Sequence, residues 1–313
     1  MTRSAAWVCF VWIVLGGLST FLTACASAPV AIPSPTPAPE VYVPTATATP
    51  IPPTPTTTPS PTPLPTAFVC EEPGGRLTQT TYPGAVVPQE IPLQVYLPPC
   101  YDQVTDRYPT LILLHGKPFS AANWEDLGVV DVADEGIRQG LWRPFILVMP
   151  VQPEPLFSET DGGPGSYEAE LIEGLLPYVD ETFRTAGDPQ EWAIAGISRG
   201  GVWALEIGFR DPGTFGEVAA LSPALALNYA RPAYDPLEIA RSGAEALPGR
   251  IFLGAGDVDW ARPKTVALAN ELTAGGRPPE LQIVTGDHVA ATWQALMPAM
   301  FRYLTAAWVV PSP

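Results

Sequence analysis

The chain has 313 residues and a formal charge of −16, from 16 Lys and Arg against 32 Asp and Glu, with 40 Pro, 4 Cys and only 2 His. Arg3 and Glu40 are the only charged residues before residue 68, so the acidic excess belongs to the remainder, whose only lysines are Lys117 and Lys264. Such a domain has no basic patch with which to neutralise phosphates, which excludes nucleic-acid binding, and two histidines without a His/Asp cluster make a poor metal site; no cofactor is implied.

Taken in chain order, Arg3 precedes an apolar run from Ala5 to Leu22, followed by Leu22-Thr23-Ala24-Cys25. Residues 1–24 therefore read as a signal peptide. The Leu-x-small-Cys ending resembles the bacterial lipobox, which implies lipidation of Cys25 and anchorage by several acyl chains. The alternative is an uncleaved apolar helix of about 18 residues, just long enough to span a bilayer. Either reading places the rest outside the cytoplasm, at the cell surface or facing the periplasm, touching the membrane only through the N-terminal anchor.

Residues 25–67 are dominated by Pro, Thr, Ala and Ser with repeated Thr-Pro pairs. Such a tract cannot offset its ordering entropy by burial and is expected to be a disordered, polyproline-like tether reaching on the order of 130 Å at most. Residues 68–313 then form one domain, long enough for a large core. Its cysteines, Cys70 and Cys100, predict one disulfide in an oxidising compartment, a free pair being the alternative.

Within the domain, strands are expected at Leu77–Tyr82, Ile91–Leu97, Thr110–His115, Phe145–Val151, Trp192–Ile197, Glu217–Leu221, Ile251–Leu253 and Leu281–Val284, mostly short continuous apolar runs. Helices are expected at Val129–Gln139, Tyr167–Phe183, Gly200–Arg210, Pro263–Ala274 and Ala290–Ala307. In the second, Leu171, Leu175, Leu176, Val179 and Phe183 recur at helical spacing and give a core-facing stripe. Two early strands followed by strand–helix repeats predict the α/β class, with a mainly parallel central sheet covered by helices on both faces.

The chemistry centres on Gly196-Ile197-Ser198-Arg199-Gly200, which lies between an apolar strand and a helix. This is the nucleophile-elbow pattern: only small residues fit on either side of so tight a turn, and the serine hydroxyl is pushed clear of the backbone. The amide of Arg199, at a helix N-terminus, then faces a developing oxyanion. A serine needs a base, and only His115 and His288 exist. His288 follows the last strand, where a loop can carry it over Ser198; His115 ends an earlier strand and is read as a structural residue beneath the oxyanion loop. Asp257, after the Ile251–Leu253 strand, is the expected carboxylate partner, with Asp259 and Asp287 as competitors, Asp259 alternatively capping the next helix. The order Ser198, Asp257, His288 is that of α/β-hydrolase triads. The amide of Lys117, after Gly116, is the expected second oxyanion donor, and Trp124 and Trp293 are candidate walls of a substrate pocket.

Together these residues make the chain resemble the esterase D and feruloyl-esterase-like family of α/β-hydrolases, which includes the antigen 85 acyltransferases and enterobactin-type esterases. The matching pieces are the run from Pro109 to Gly116 with Asn123-Trp124, Glu173 to Asp180, Ala195 to Gly201, Phe215 to Val218, Gly254 to Asp257, and Asp287-His288 with Trp293. The resemblance implies the α/β-hydrolase fold, with Ser198 as nucleophile, Asp257 and His288 as its partners, and the amides of Lys117 and Arg199 as oxyanion hole. Two positions depart from it: Arg199 stands where many members carry Met or another apolar residue, and Asp287 where Gly is usual. The expected activity is serine ester hydrolysis through an acyl-enzyme, with acetyl or feruloyl esters on carbohydrate as the implied class. Acyl transfer to a sugar alcohol uses the same machinery, and a binding protein that kept the fold without the activity is the reading from a different class.

Overall fold

A computed structural model describes residues 69–159, 161–243 and 247–308; the leader, Cys25 and the Pro/Thr tract lie outside them. Eight strands form one sheet: β1 Arg76–Pro83, β2 Glu90–Leu97, β3 Thr110–Leu114, β4 Ile146–Pro150, β5 Trp192–Ile197, β6 Glu217–Leu221, β7 Arg250–Gly256 and β8 Glu280–Val284. Each coincides with an expected strand to within a few residues. The spatial order is β1-β2-β4-β3-β5-β6-β7-β8. The β1/β2 and β2/β4 pairs are antiparallel, and all pairs from β4 to β8 are parallel.

Strands β3 to β6 are buried along their whole length because helices cover both faces, which is why they read as unbroken apolar runs. Alternate residues feed two separate cores. Leu111 and Leu113 point with α1 (Ala122–Asp126), α2 (Val129–Arg138) and α8 (Ala290–Thr305) into one. Ile112 and Leu114 point into the other, with α5 (Arg199–Arg210), α6 (Pro236–Arg241) and α7 (Arg262–Ala274). That second face also holds α3 (Tyr167–Ala169), a π-helical stretch Glu170–Leu175 and α4 (Leu176–Thr182), where the sequence predicted one continuous helix.

The topology positions the site. From β3 the chain crosses to β4 on one side, and from β5 it crosses to β6 on the other, over the opposite face. The loops leaving the carboxyl ends of β3 and β5 therefore diverge and leave a crevice between them, the switch point at which open α/β sheets place ligands. At the far edge of the sheet, Cys70 and Cys100 are joined, with Cα atoms 5.8 Å apart. No helix among the described residues is long and apolar enough to cross a membrane.

Candidate active site

The turn from β5 into α5 is forced by close backbone contact. A Cβ on Gly196 would lie 2.1 Å from the Gly200 carbonyl oxygen, and one on Gly200 would lie 2.4 Å from the carbonyl oxygens of both His115 and Leu114. Between them Ser198 takes φ 54° and ψ −114°, a strained conformation for a non-glycine residue of the kind that gathers at functional sites. The strain is held by the Ser198 N–H donating to Leu221 O at 2.9 Å and by the Ser198 carbonyl accepting from Ala224 N at 3.0 Å. Helix α5 starts at the next residue, so its unpaired amides and positive dipole end lie beside the hydroxyl.

His288, on the loop between β8 and α8, places Nε2 3.0 Å from Ser198 Oγ. Its Nδ1 lies 2.9 Å from Asp259 Oδ1. The expected partner was Asp257, and the structure corrects it. Asp257 immediately follows β7, and its Oδ1 accepts the Gly286 amide at 3.0 Å while its carbonyl accepts from Arg262 Nη1 at 2.8 Å. It pins the His288 loop from beneath; the turn that follows then swings Asp259 round to the imidazole. Asp287 is spent locally, its Oδ1 accepting the His288 amide at 2.7 Å. The capping role weighed for Asp259 exists as well, because the same Oδ1 accepts the Ala261 amide at 2.8 Å just before α7. Burial of Asp259 acts to raise its pKa, but hydrogen bonds from His288, Ser222 and the Ala261 amide outweigh it, and the group is held below the usual carboxylate range.

Aromatic rings fix the imidazole. Trp260, which the sequence reading passed over although it adjoins Asp259, lies with its ring centroid 4.4 Å from that of His288 and is 41% exposed. Trp293 meets His288 edge-on at 5.3 Å and donates Nε1–H to Ser222 Oγ at 3.1 Å. Trp293 is 3% exposed, so it supports the histidine more than it walls an open pocket. Trp124, the other candidate wall, is fully buried. Helix α1 turns its ring into the core shared with α2 and α8, and it is a packing residue. Phe119, 47% exposed and edge-on to Trp293, takes the rim position instead.

On the β3 side, Gly116 approaches the nucleophile so closely that a Cβ there would lie 3.4 Å from Ser198 Cβ. The Gly116 carbonyl accepts the Phe119 amide at 2.9 Å and lies 2.9 Å from His115 Nδ1. His115 Nε2 accepts from the Gln152 amide at 3.1 Å, so the proton must sit on Nδ1, which donates to Gly116 O. Burial lowers the His115 pKa and keeps the ring neutral. The Gly116–Lys117 peptide is trans; fixing its carbonyl therefore fixes the Lys117 N–H in the opposite direction. The Lys117 side chain points to the loop after β4, where Nζ pairs with Glu154 at 3.2 Å and meets Ser158 Oγ.

Among the described residues no group of three or more His, Cys, Asp and Glu is arranged to hold a metal ion. An apolar cavity of about 680 Å³ opens between α2 and α8, lined by Leu141, Trp142 and Pro298, and shares no residue with this constellation.

The arrangement has relatives. Residues 84–304 match the Esterase family model. The chain is 31% identical over 242 residues to an endo-1,4-β-xylanase/feruloyl esterase of Xylanibacter ruminicola, an alignment covering 74% of this chain and 31% of that protein. The chain thus spans about a third of the length of the curated relatives it matches. Among solved structures, a ferulic acid esterase superposes with a TM-score of 0.69 at 23% identity, over 75% of this chain and 99% of its own. An S-formylglutathione hydrolase from Staphylococcus aureus superposes with a TM-score of 0.63 at 18% identity, over 74% and 99%. These superpositions show the α/β-hydrolase fold.

Proposed function

The chain belongs to the Esterase family, and from that premise we propose that it is a serine esterase cleaving carboxylic esters through Ser198, His288 and Asp259. One observation carries the reading: His288 bridges Ser198 Oγ at 3.0 Å and Asp259 Oδ1 at 2.9 Å. With Nδ1–H donated to Asp259, Nε2 is free to take the serine proton as Ser198 Oγ attacks the ester carbon. The tetrahedral oxyanion is received by the amides of Arg199 and Lys117, the first oriented by α5 and the second by His115 acting through the Gly116 carbonyl. His288 then returns the proton to the departing alcohol, leaving an acyl-enzyme, and water activated by the same imidazole releases the acid.

The relatives described as feruloyl or ferulic acid esterases, one of them also a xylanase, favour feruloyl esters on carbohydrate as the substrate class; acetyl esters on carbohydrate would use the same machinery. The Leu22-Thr23-Ala24-Cys25 ending and the Pro/Thr tract support display outside the cytoplasm on a lipid anchor at Cys25. The test is hydrolysis of short-chain p-nitrophenyl esters and methyl ferulate by the chain and by Ser198→Ala, with a serine-directed phosphonate and intact mass spectrometry. Hydrolysis that disappears in Ser198→Ala, with one adduct on Ser198, is the expected result. An inert, unlabelled but folded protein overturns the assignment.

A further inference from the structure

Arg199 follows the nucleophile directly, and the oxyanion proposal uses only its backbone amide. Its side chain reaches out between two loops at the carboxyl edge of the sheet. Nη2 donates to Leu227 O at 3.3 Å, on the turn after β6, and Glu154, on the loop after β4, contributes to its electrostatic surroundings. Nη1 is buried and has no hydrogen-bond partner. Among the described residues no carboxylate stands within ion-pair distance of this guanidinium.

Neither acidic neighbour of Arg199 offers it a free charge. Glu154 is paired with Lys117 at 3.2 Å and accepts from Ser158 Oγ at 2.9 Å. Glu206, further along α5, is fully buried; burial pushes its pKa up to about 9, so it is uncharged at neutral pH. Tyr229, the remaining neighbour, is 85% exposed. A desolvated, half-satisfied guanidinium is costly to keep and gains most from a planar anion that can take two of its N–H groups at once. In a domain of net charge −16, substrate is the remaining source of that anion.

Resting on the esterase reading of the same site, we infer that Arg199 is a specificity-determining residue that binds a carboxylate on the substrate, so that the preferred ester carries a negative charge near its scissile bond. The carboxylate can lie on the acyl side, in the monoester of a dicarboxylic acid, or on the alcohol side, in a uronic acid acylated on a hydroxyl group. Both would enter from the loops bearing Glu154 and Leu227 while the ester carbonyl lies over Ser198.

Two matched pairs test this. The acyl arm compares p-nitrophenyl hydrogen adipate with p-nitrophenyl hexanoate, and the alcohol arm compares acetylated methyl glucuronoside with acetylated methyl glucoside. The readout is the charged-to-neutral ratio of kcat/KM, which cancels any general effect of the substitution on the elbow. In one arm the wild-type ratio should exceed about 10, fall by on the order of tenfold or more in Arg199→Met and Arg199→Gln, recover in part in Arg199→Lys, and shrink with added salt. A ratio unchanged by Arg199→Met and Arg199→Gln, or below one in both arms, overturns the inference and leaves the esterase reading standing. A folded wild-type chain that cleaves none of the four esters, and neither short-chain p-nitrophenyl esters nor methyl ferulate, overturns the esterase reading, and this assignment with it; one that cleaves methyl ferulate but none of the four overturns this assignment alone.

Discussion

Asp259 and His288, 29 residues apart in sequence, meet at 2.9 Å, while Asp257, two residues nearer the strand, never reaches the imidazole. The relationship separates two carboxylates that look alike in Gly256-Asp257-Val258-Asp259. Asp259→Asn should lower kcat by on the order of 10³- to 10⁴-fold, because the amide can present N–H to Nδ1 and hold the imidazole in the wrong tautomer. Asp257→Asn should cost less than about tenfold, since it loosens only the Gly286 anchor, through one hydrogen bond. Steady-state kinetics on the two variants decides it, and equal losses would contradict the geometry.

The fold was legible because its physics is local and repeated. Strands buried on both faces cannot alternate, so β3, β4, β5 and β6 stood out as apolar runs, and α2, α5, α7 and α8 are long enough to stand out as helical segments between them. Helices α1 and α6 were missed because Ala122–Asp126 and Pro236–Arg241 are too short to show a period. Ser198 and His288 were legible from the tight turn and the scarcity of histidine. The carboxylate was not, because the path of the turn between Gly256 and Trp260 decides which aspartate swings inward, and that path is set by the Gly286 amide donating to Asp257 and the Ala261 amide donating to Asp259. Trp124 misled for a related reason: proximity to the oxyanion loop in sequence says nothing about which face of α1 the ring takes.

His115 acts on the reaction without touching substrate, through the carbonyl of Gly116. His115→Ala frees that peptide to rotate, and kcat should fall by about 10- to 100-fold, less than outright removal of an oxyanion donor, with KM little changed. His115→Asn can again donate to Gly116 O from its amide and should recover part of the loss. A folded His115→Ala variant with unaltered kcat would show that the loop holds its shape unaided.

Glu170 sits fully buried at the start of the π-helical stretch. Its carboxylate accepts the amides of Ala85, Val86 and Val87 at 3.0, 2.7 and 3.1 Å, closing the β1–β2 connection onto the body of the domain. Glu170→Ala leaves three inward-facing N–H groups without an acceptor and should cost about 3–5 kcal/mol of stability by urea denaturation. Glu170→Gln keeps one acceptor oxygen but turns an NH₂ group toward amide donors, so it should recover only part. A loss below about 1 kcal/mol in both variants would mean that water satisfies these amides.

Glu206 gives the domain a pH dependence opposite in sign to that of a paired carboxylate. It is fully buried, and no side chain hydrogen-bonds to either carboxyl oxygen. Burial first, and the charge of Glu168 second, raise its pKa to about 9, while Arg210, engaged with Glu168 at 2.8 Å, offsets only part. Folded, the group keeps its proton up to that pH; unfolded, it loses it near 4.5. Between those limits the native state binds more protons than the unfolded state, so stability is greatest below the unfolded pKa and falls as pH rises, by up to about 1.4 kcal/mol per pH unit. Glu217, raised to about 8 chiefly by burial and partly offset by Arg250, adds a slope of the same sign. Glu206→Gln, neutral at every pH and of the same shape, should remove its own share. Urea denaturation at about pH 5.5 and about pH 8.5 should show the wild type losing markedly more stability between the two than the variant does. Equal losses in the two proteins would mean that Glu206 ionises in the native state with a hydrated counter-charge.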